Sequence, residues 1–367
     1  MAADPGGHPS DMALYPLRLT APARPLITGG HAIARELGKE GLPDWAVAET
    51  WEVSDVEGMV GVVTNGELAG QPLRRLVEEH PEELMGRGWR GDRFPVLTKF
   101  IDAAGALPVH LHADDDAARR LEGEPNGKTE AWHVLRAAPG ATALCGTKEG
   151  VTPEQFRGAL EAEDFDSVLR RLPVSAGQTI YVPGGTPHSF GPDTLIYEIE
   201  QTSDVMQHAM RWEMADGSAV DDEQRRTNLD RFLAEWEPDA RPEFVPGLVV
   251  PAGDGVQRRF LCASPFFALE RWSVGTPAPL RSAVETALVI SNVGAPAEVT
   301  AGGVTERLGR GATLLVPAAC AEVLVTGPAD LLVGYVPDLD VDVIAPLLAA
   351  GHAPDQIVRL GEGLFGR

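Results

Sequence analysis

Two stretches lying far apart in this 367-residue chain follow one plan, and that repetition restricts the fold more than any single residue does. Residues 177–190 read GQTIYVPGGTPHSF and residues 311–324 read GATLLVPAACAEVL. Each opens on glycine, runs through strand-forming residues and stops at proline. Upstream of each lies a second matching pair, TEAWHVLRAAPGA at 129–141 and VETALVISNVGAPA at 284–297. In this register Glu130 stands opposite Glu285, Pro183 opposite Pro317, Gly185 opposite Ala319 and His188 opposite Glu322. Repetition of strand and turn at this separation predicts two related β-barrel units, joined near residues 237–247. The 40 glycines and 30 prolines punctuate short segments rich in Val, Ile, Leu and Thr, as many short strands require.

Helical patterning is confined to a few places. Residues 71–86 carry apolar side chains at Leu73, Leu76, Val77 and Leu84, interrupted by Pro81. Residues 152–172 open with a Thr cap and a Pro in the first turn, 222–236 are amphipathic, and a short helical tail closes the chain. The expected division is a lead-in without fixed structure at 1–20, a first unit at 21–240 with a helical insert near 152–172, a second unit at 241–340, and the tail at 341–367.

A net charge of −23 excludes a general electrostatic attraction to nucleic acid or anionic lipid. No apolar run is long enough to cross a bilayer. Cys145, Cys262 and Cys320 are too few and too scattered for a disulfide framework, which fits a reducing cytoplasm. Only four lysines exist, and Lys99 and Lys128 fall inside the motifs described next.

The first strand-turn copy, G-x5-P-x-G-x2-H, delivers His188 from a rigid Pro-Gly-Gly turn after a half-buried strand, TIYV. Upstream, the run PVHLH places His110 and His112 two apart, so that on a strand both rings face one way. Glu130 opens the next strand-like run. His110, His112, Glu130 and His188 form a set of three nitrogens and one oxygen suited to a divalent metal of borderline softness such as Zn²⁺. Packing suits His133 better, because it lies on the alternate face from Glu130. His8, His31, His80 and His352 fall in loops or helical stretches and read as solvated.

The turn motif resembles the second motif of the cupins, which implies a mainly β fold: two cupin-type jelly-roll β-barrel domains with a few inserted and terminal helices. From about residue 26 to 332 the chain also resembles the short bacterial form of the type I mannose-6-phosphate isomerase family. The resemblance is carried by AETWEVS (48–54), NGELAGQPLRRLVEEHPEELMG (65–86), FPVLTKFIDAAGALPVHLHADDDAA (94–118), GKTEAWHVL (127–135), VPGGTPHSF (182–190) and LIYEIEQTSD (195–204). It implies a cytoplasmic aldose–ketose isomerase, a monomer or homodimer, with one Zn²⁺ (or another divalent transition metal) per chain and a sugar or sugar phosphate as its small-molecule partner. Carried over by position, the ligands are His110 in place of a glutamine, His112, Glu130 and His188. Lys128 and Glu198 take catalytic positions, and Lys99 and Lys128 become contacts to substrate. Asp204 matches the aspartate of a Ser-Asp motif. Besides His110 for glutamine, three further departures stand out. Pro108 replaces a serine, Thr28 replaces a tryptophan, and His208 stands where the family has its catalytic arginine. That makes His208 a candidate for proton transfer and leaves Arg211, three residues on, as a candidate guanidinium for substrate. The same departures keep two alternatives open: an isomerase of another or an unphosphorylated sugar, and a non-catalytic metal- or sugar-binding bicupin.

Overall fold

The computed structural model describes residues 13–275, 279–283 and 285–366. It is mainly β, with two units that each pair a large antiparallel sheet with a smaller one. In the first unit the large sheet runs Ala23–Arg24, Glu49–Val53, Val96–Ala103, Thr194–Gln201, Glu130–Ala137, Thr179–Val182. Its small sheet runs Gln207–His208, His110–Leu111, His188–Phe190, Thr142–Thr147, Leu169–Pro173. The second unit repeats the large sheet with strands between Leu248 and Tyr335, and its small sheet pairs Leu280–Ala283, Glu322–Thr326, Ala297–Ala301 and Val304–Leu308.

The two large sheets pack back to back, and this explains strands that are buried along their whole length. Side chains alternate between faces on a strand. Phe100, Ala131, Leu195, Tyr197 and Ile199 therefore pack toward the second unit, against Leu261, Leu269, Val289 and Leu332. Ile101, Trp132, Val134, Ile180 and Ile196 fill the interior of the first unit. Approach between the units is close enough that a Cβ on Gly334 would come within 2.6 Å of Ile199 Cδ1. The strand Thr179–Val182 is buried on both faces rather than half-buried for the same reason. Tyr181 packs against Phe267 across the junction.

Several local expectations need correction. The internal match is offset by three residues from the register in which Glu130 faces Glu285. Glu130 pairs with Val182, and Leu288 pairs with Val316 in the same position relative to the repeated Val-Pro. Leu288, not Glu285, is therefore the counterpart of Glu130. The insert near 152–172 is helical only over Pro153–Ala162 and Phe165–Val168; Leu169–Pro173 becomes an edge strand of the small sheet. A Thr152–Gln155 capping box fixes the start of this insert. The expected lead-in at 1–20 does not extend through residues 13–20. Leu17 exchanges backbone hydrogen bonds with Leu315, and Arg18 Nε lies 2.8 Å from Glu306. Residues 1–12, with His8, lie outside the described residues. His352 is only partly exposed, and its Nε2 lies 2.8 Å from the Val249 carbonyl.

The helix Asp222–Glu235 starts at the Asp221 cap, whose carboxylate accepts from Glu223 and Gln224. Its last residue, Glu235, is buried against Glu122 and accepts from Gln207 Nε2 at 3.2 Å. Burial first, and then the neighbouring Glu122 carboxyl, raise its pKa from 4.5 to about 8. The folded chain thus holds a proton that the unfolded chain releases, so this group lowers stability as pH climbs from 4.5 to about 8 and levels off above that. Glu235→Gln is expected to remove that slope. Its stability gain over the parent should be near zero at pH 4 and on the order of 2–4 kcal/mol at pH 8.5. Denaturant unfolding of both proteins at the two pH values checks this; a gain independent of pH would refute it.

Candidate metal centre and active-site cavity

The ligand set expected from the sequence does converge. Antiparallel pairing puts His110 opposite His188, and His112 follows two residues on. The Pro-Gly-Gly turn that delivers His188 depends on its glycines. Gly185 has φ of 79°, and a Cβ on Gly184 would come within 2.6 Å of Asp114 Cα. All three imidazoles are oriented alike: Nδ1 of His110, His112 and His188 each lies 2.8 Å from a backbone carbonyl, of Pro108, Val205 and Thr186 respectively. A ring nitrogen facing a carbonyl carries the proton, which leaves the lone pair on Nε2. Those three ring nitrogens lie within 4.8 Å of one another, and the His110 and His188 Nε2 atoms are 2.8 Å apart. Lone pairs so close repel one another unless they share a cation.

Glu130 completes the group. Its Oε1 lies 3.2 Å from His188 Nε2 and accepts from Trp132 Nε1 at 2.7 Å; its Oε2 lies 3.2 Å from His112 Nε2. Burial above all, and then the neighbouring imidazoles, push His110 well below the usual histidine range. For His188, burial pushes in the same direction, outweighs the opposing pull of Glu130, and leaves it at about 4. Neutral rings with converging lone pairs and one carboxylate are the donors a divalent metal takes.

A second cluster adjoins the first. Glu130, Glu198 and Glu200 bring carboxylate oxygens within 4.8 Å of one another. Two buried lysines hold them there. Lys99 Nζ lies 2.8 Å from Glu200 and 3.3 Å from Glu198, and Lys128 Nζ lies 2.8 Å from Glu200 and 3.2 Å from Glu130. Burial pulls both lysines down, but the carboxylates more than offset it and both end above the ordinary lysine value. Lys128 also reaches His112 Nε2 at 3.0 Å, a positive group drawn to the same lone pairs. The sequence reading missed Glu200. Its signal was present, since residues i and i+2 of the run Glu198-Ile199-Glu200 share a strand face.

A cavity of about 280 Å³ opens onto these clusters, lined by His110, His112, Lys99, Lys128, Glu198, Asp204 and His208, with Arg24, Glu49 and Glu213 among its other residues. His208 sits on the strand paired with that of His110, its Nε2 3.8 Å from Glu213. Burial pulls the His208 pKa below the ordinary histidine value, against a smaller opposing effect of Glu213. Arg211 is not in the cavity. Its backbone N–H donates to Glu163 and its guanidinium to the carbonyl of Glu161, near the end of the helix Pro153–Ala162. Trp212 bridges Ala219, and the chain between them returns to the cavity at Glu213. His133 faces the second unit, with Nδ1 2.9 Å from Thr179 Oγ1.

The architecture matches solved enzymes. The mannose-6-phosphate isomerase of Bacillus subtilis superposes with a TM-score of 0.79 at 24% identity, covering 88% of this chain and 100% of that one. A mannose 6-phosphate isomerase crystallised with zinc and yttrium gives 0.69 at 14% identity, covering 88% and 100%. No family model matches the sequence. The mannose-6-phosphate isomerase of Streptococcus mutans is 32% identical over 305 residues, which is 82% of this chain and 92% of the relative. The chain belongs to the mannose-6-phosphate isomerase family. Among the described residues, the second unit lacks this donor set. The places of His110, Glu130 and His188 are taken by Ala283, Leu288 and Glu322. Its buried Glu270 is saturated instead by Arg258, Trp272 and Tyr335.

Proposed function

We propose that the chain is a metal-dependent aldose–ketose isomerase that interconverts mannose 6-phosphate and fructose 6-phosphate in the cytoplasm. In this reading residues 21–240 form the catalytic unit and 241–340 a supporting one. The observation that carries the proposal is the opening of both clusters, neutral imidazoles and lysine-held carboxylates, onto one cavity. His110, His112, Glu130 and His188 would hold one zinc ion. Bound there, a divalent cation supplies Lewis acidity toward the sugar's carbonyl and hydroxyl oxygens.

The chain's own residues account for the rest. Glu198 lines the cavity and is held by Lys99, so its carboxylate is placed to take a proton from C2 and return it to C1 through an enediol. His208 also lines the cavity, where its imidazole would serve the hydroxyl protons that move during ring opening. Burial of Lys99, Lys128 and Glu200 keeps water from this corner. Glu198→Gln is expected to lower kcat by about 10²- to 10⁴-fold with metal content unchanged. A coupled assay of mannose 6-phosphate conversion, with and without chelator, tests the activity itself; no turnover by metal-loaded protein would reject it. His208 at the family's arginine position favours one rival, an isomerase of an unphosphorylated sugar, which turnover of free mannose alone would select.

A further inference from the structure

We infer that Arg24 reads the anionic group of the substrate, a binding role that neither His208 nor Arg211 fills. The inference rests on the proposed isomerase reading. A sugar phosphate entering this cavity brings a dianion into a site already lined by Glu49, Glu198, Asp204 and Glu213. Three cationic side chains line it: Lys99, Lys128 and Arg24. The lysine side chains are 5% and 6% exposed, and each lies 2.8 Å from Glu200, so their charge is already spoken for deep in the cavity. Arg24 differs in each respect. It lies on the two-residue edge strand of the large sheet, its side chain is 35% exposed, and the nearest carboxylate oxygen, Glu49 Oε2, is 3.9 Å away.

Its guanidinium is held without being consumed. The Trp51 ring lies 5.3 Å below it, and Trp51 Nε1 in turn donates to Glu49 Oε2 at 2.8 Å. Stacking on an indole fixes the plane of a guanidinium while leaving its N–H fork unbonded, the state that suits bidentate capture of a phosphate. Arg211 cannot do this from its place beside Glu161.

The test is the steady-state kinetics of Arg24→Gln and Arg24→Lys, with metal content measured on each. For mannose 6-phosphate, Arg24→Gln is expected to raise KM about 10- to 100-fold with kcat within about 3-fold of the parent, because the lost contact is equal in ground and transition states. Inorganic phosphate, used as a competitive inhibitor, should weaken in parallel. Arg24→Lys should recover part of the affinity but not all, lacking the fork. An unchanged KM and unchanged phosphate inhibition in Arg24→Gln would overturn the assignment, as would a fall in kcat alone, which marks a structural role through Trp51. Lack of turnover by the parent protein would instead defeat the underlying isomerase reading.

Discussion

His188→Ala is expected to abolish stoichiometric metal binding and to lower kcat/KM for mannose 6-phosphate by at least about 10³-fold, equivalent to about 4 kcal/mol of transition-state stabilisation. The geometry makes this residue the pivot of the donor set. Its Nε2 lies 2.8 Å from that of His110 and 3.2 Å from Glu130, so its removal separates a nitrogen donor from the carboxylate. The Thr186 carbonyl that sets its tautomer becomes unemployed at the same time. Metal analysis of protein purified without added metal, run beside the coupled assay, reads both effects. His133→Ala is the matched control, since that ring faces the second unit. Full metal content in His188→Ala together with parental kcat/KM would refute the ligand assignment.

The second large effect concerns the buried charges. Lys99→Met strips Glu198 of the ammonium paired with it and leaves Glu200 to Lys128, and removing one member of a buried ion pair costs about 3–5 kcal/mol. Adding Glu200→Gln removes the excess negative charge, and the double variant should recover about half of that loss. Activity should stay low in both, because Glu198 loses the ammonium that positions it. Denaturant unfolding of metal-stripped chains avoids stabilisation by bound ligand and measures the cluster itself. A single variant within 1 kcal/mol of the parent would show that water already reaches this corner.

Much of the centre was readable before any coordinates because its parts obey local rules. Two histidines at i and i+2 must share a strand face, and a Pro-Gly-Gly turn can bring a third side chain to a fixed place. What escaped was set by pairing between distant segments. Glu285 seemed the partner of Glu130 because the two share a residue type, whereas the cross-strand contacts with Val182 and Val316 decide the alignment and select Leu288. An offset of three, being odd, also exchanges the faces of the strand, so composition alone could not reveal it. Arg211 looked plausible by distance along the chain, yet the path after His208 turns toward Glu161. Arg24 carried no local sign at all. Its value comes from Trp51, Glu49 and a cavity assembled from strands as far along the chain as that of His208.

The amino-terminal segment has a bearing on how the molecule comes into being. Leu17 exchanges backbone hydrogen bonds with Leu315 and Arg18 meets Glu306 across 288 residues of chain, while Val62 and Asn65 of the first unit hold the same segment from nearby in the sequence. Its partners in the first unit are therefore made soon after the segment, and those in the second unit, Leu315 and Glu306, long after it. The sheets that carry the metal-type donors are complete once residue 208 has emerged, so the first unit can close around its charges while the contacts of Leu17 and Arg18 with Leu315 and Glu306 wait for the second.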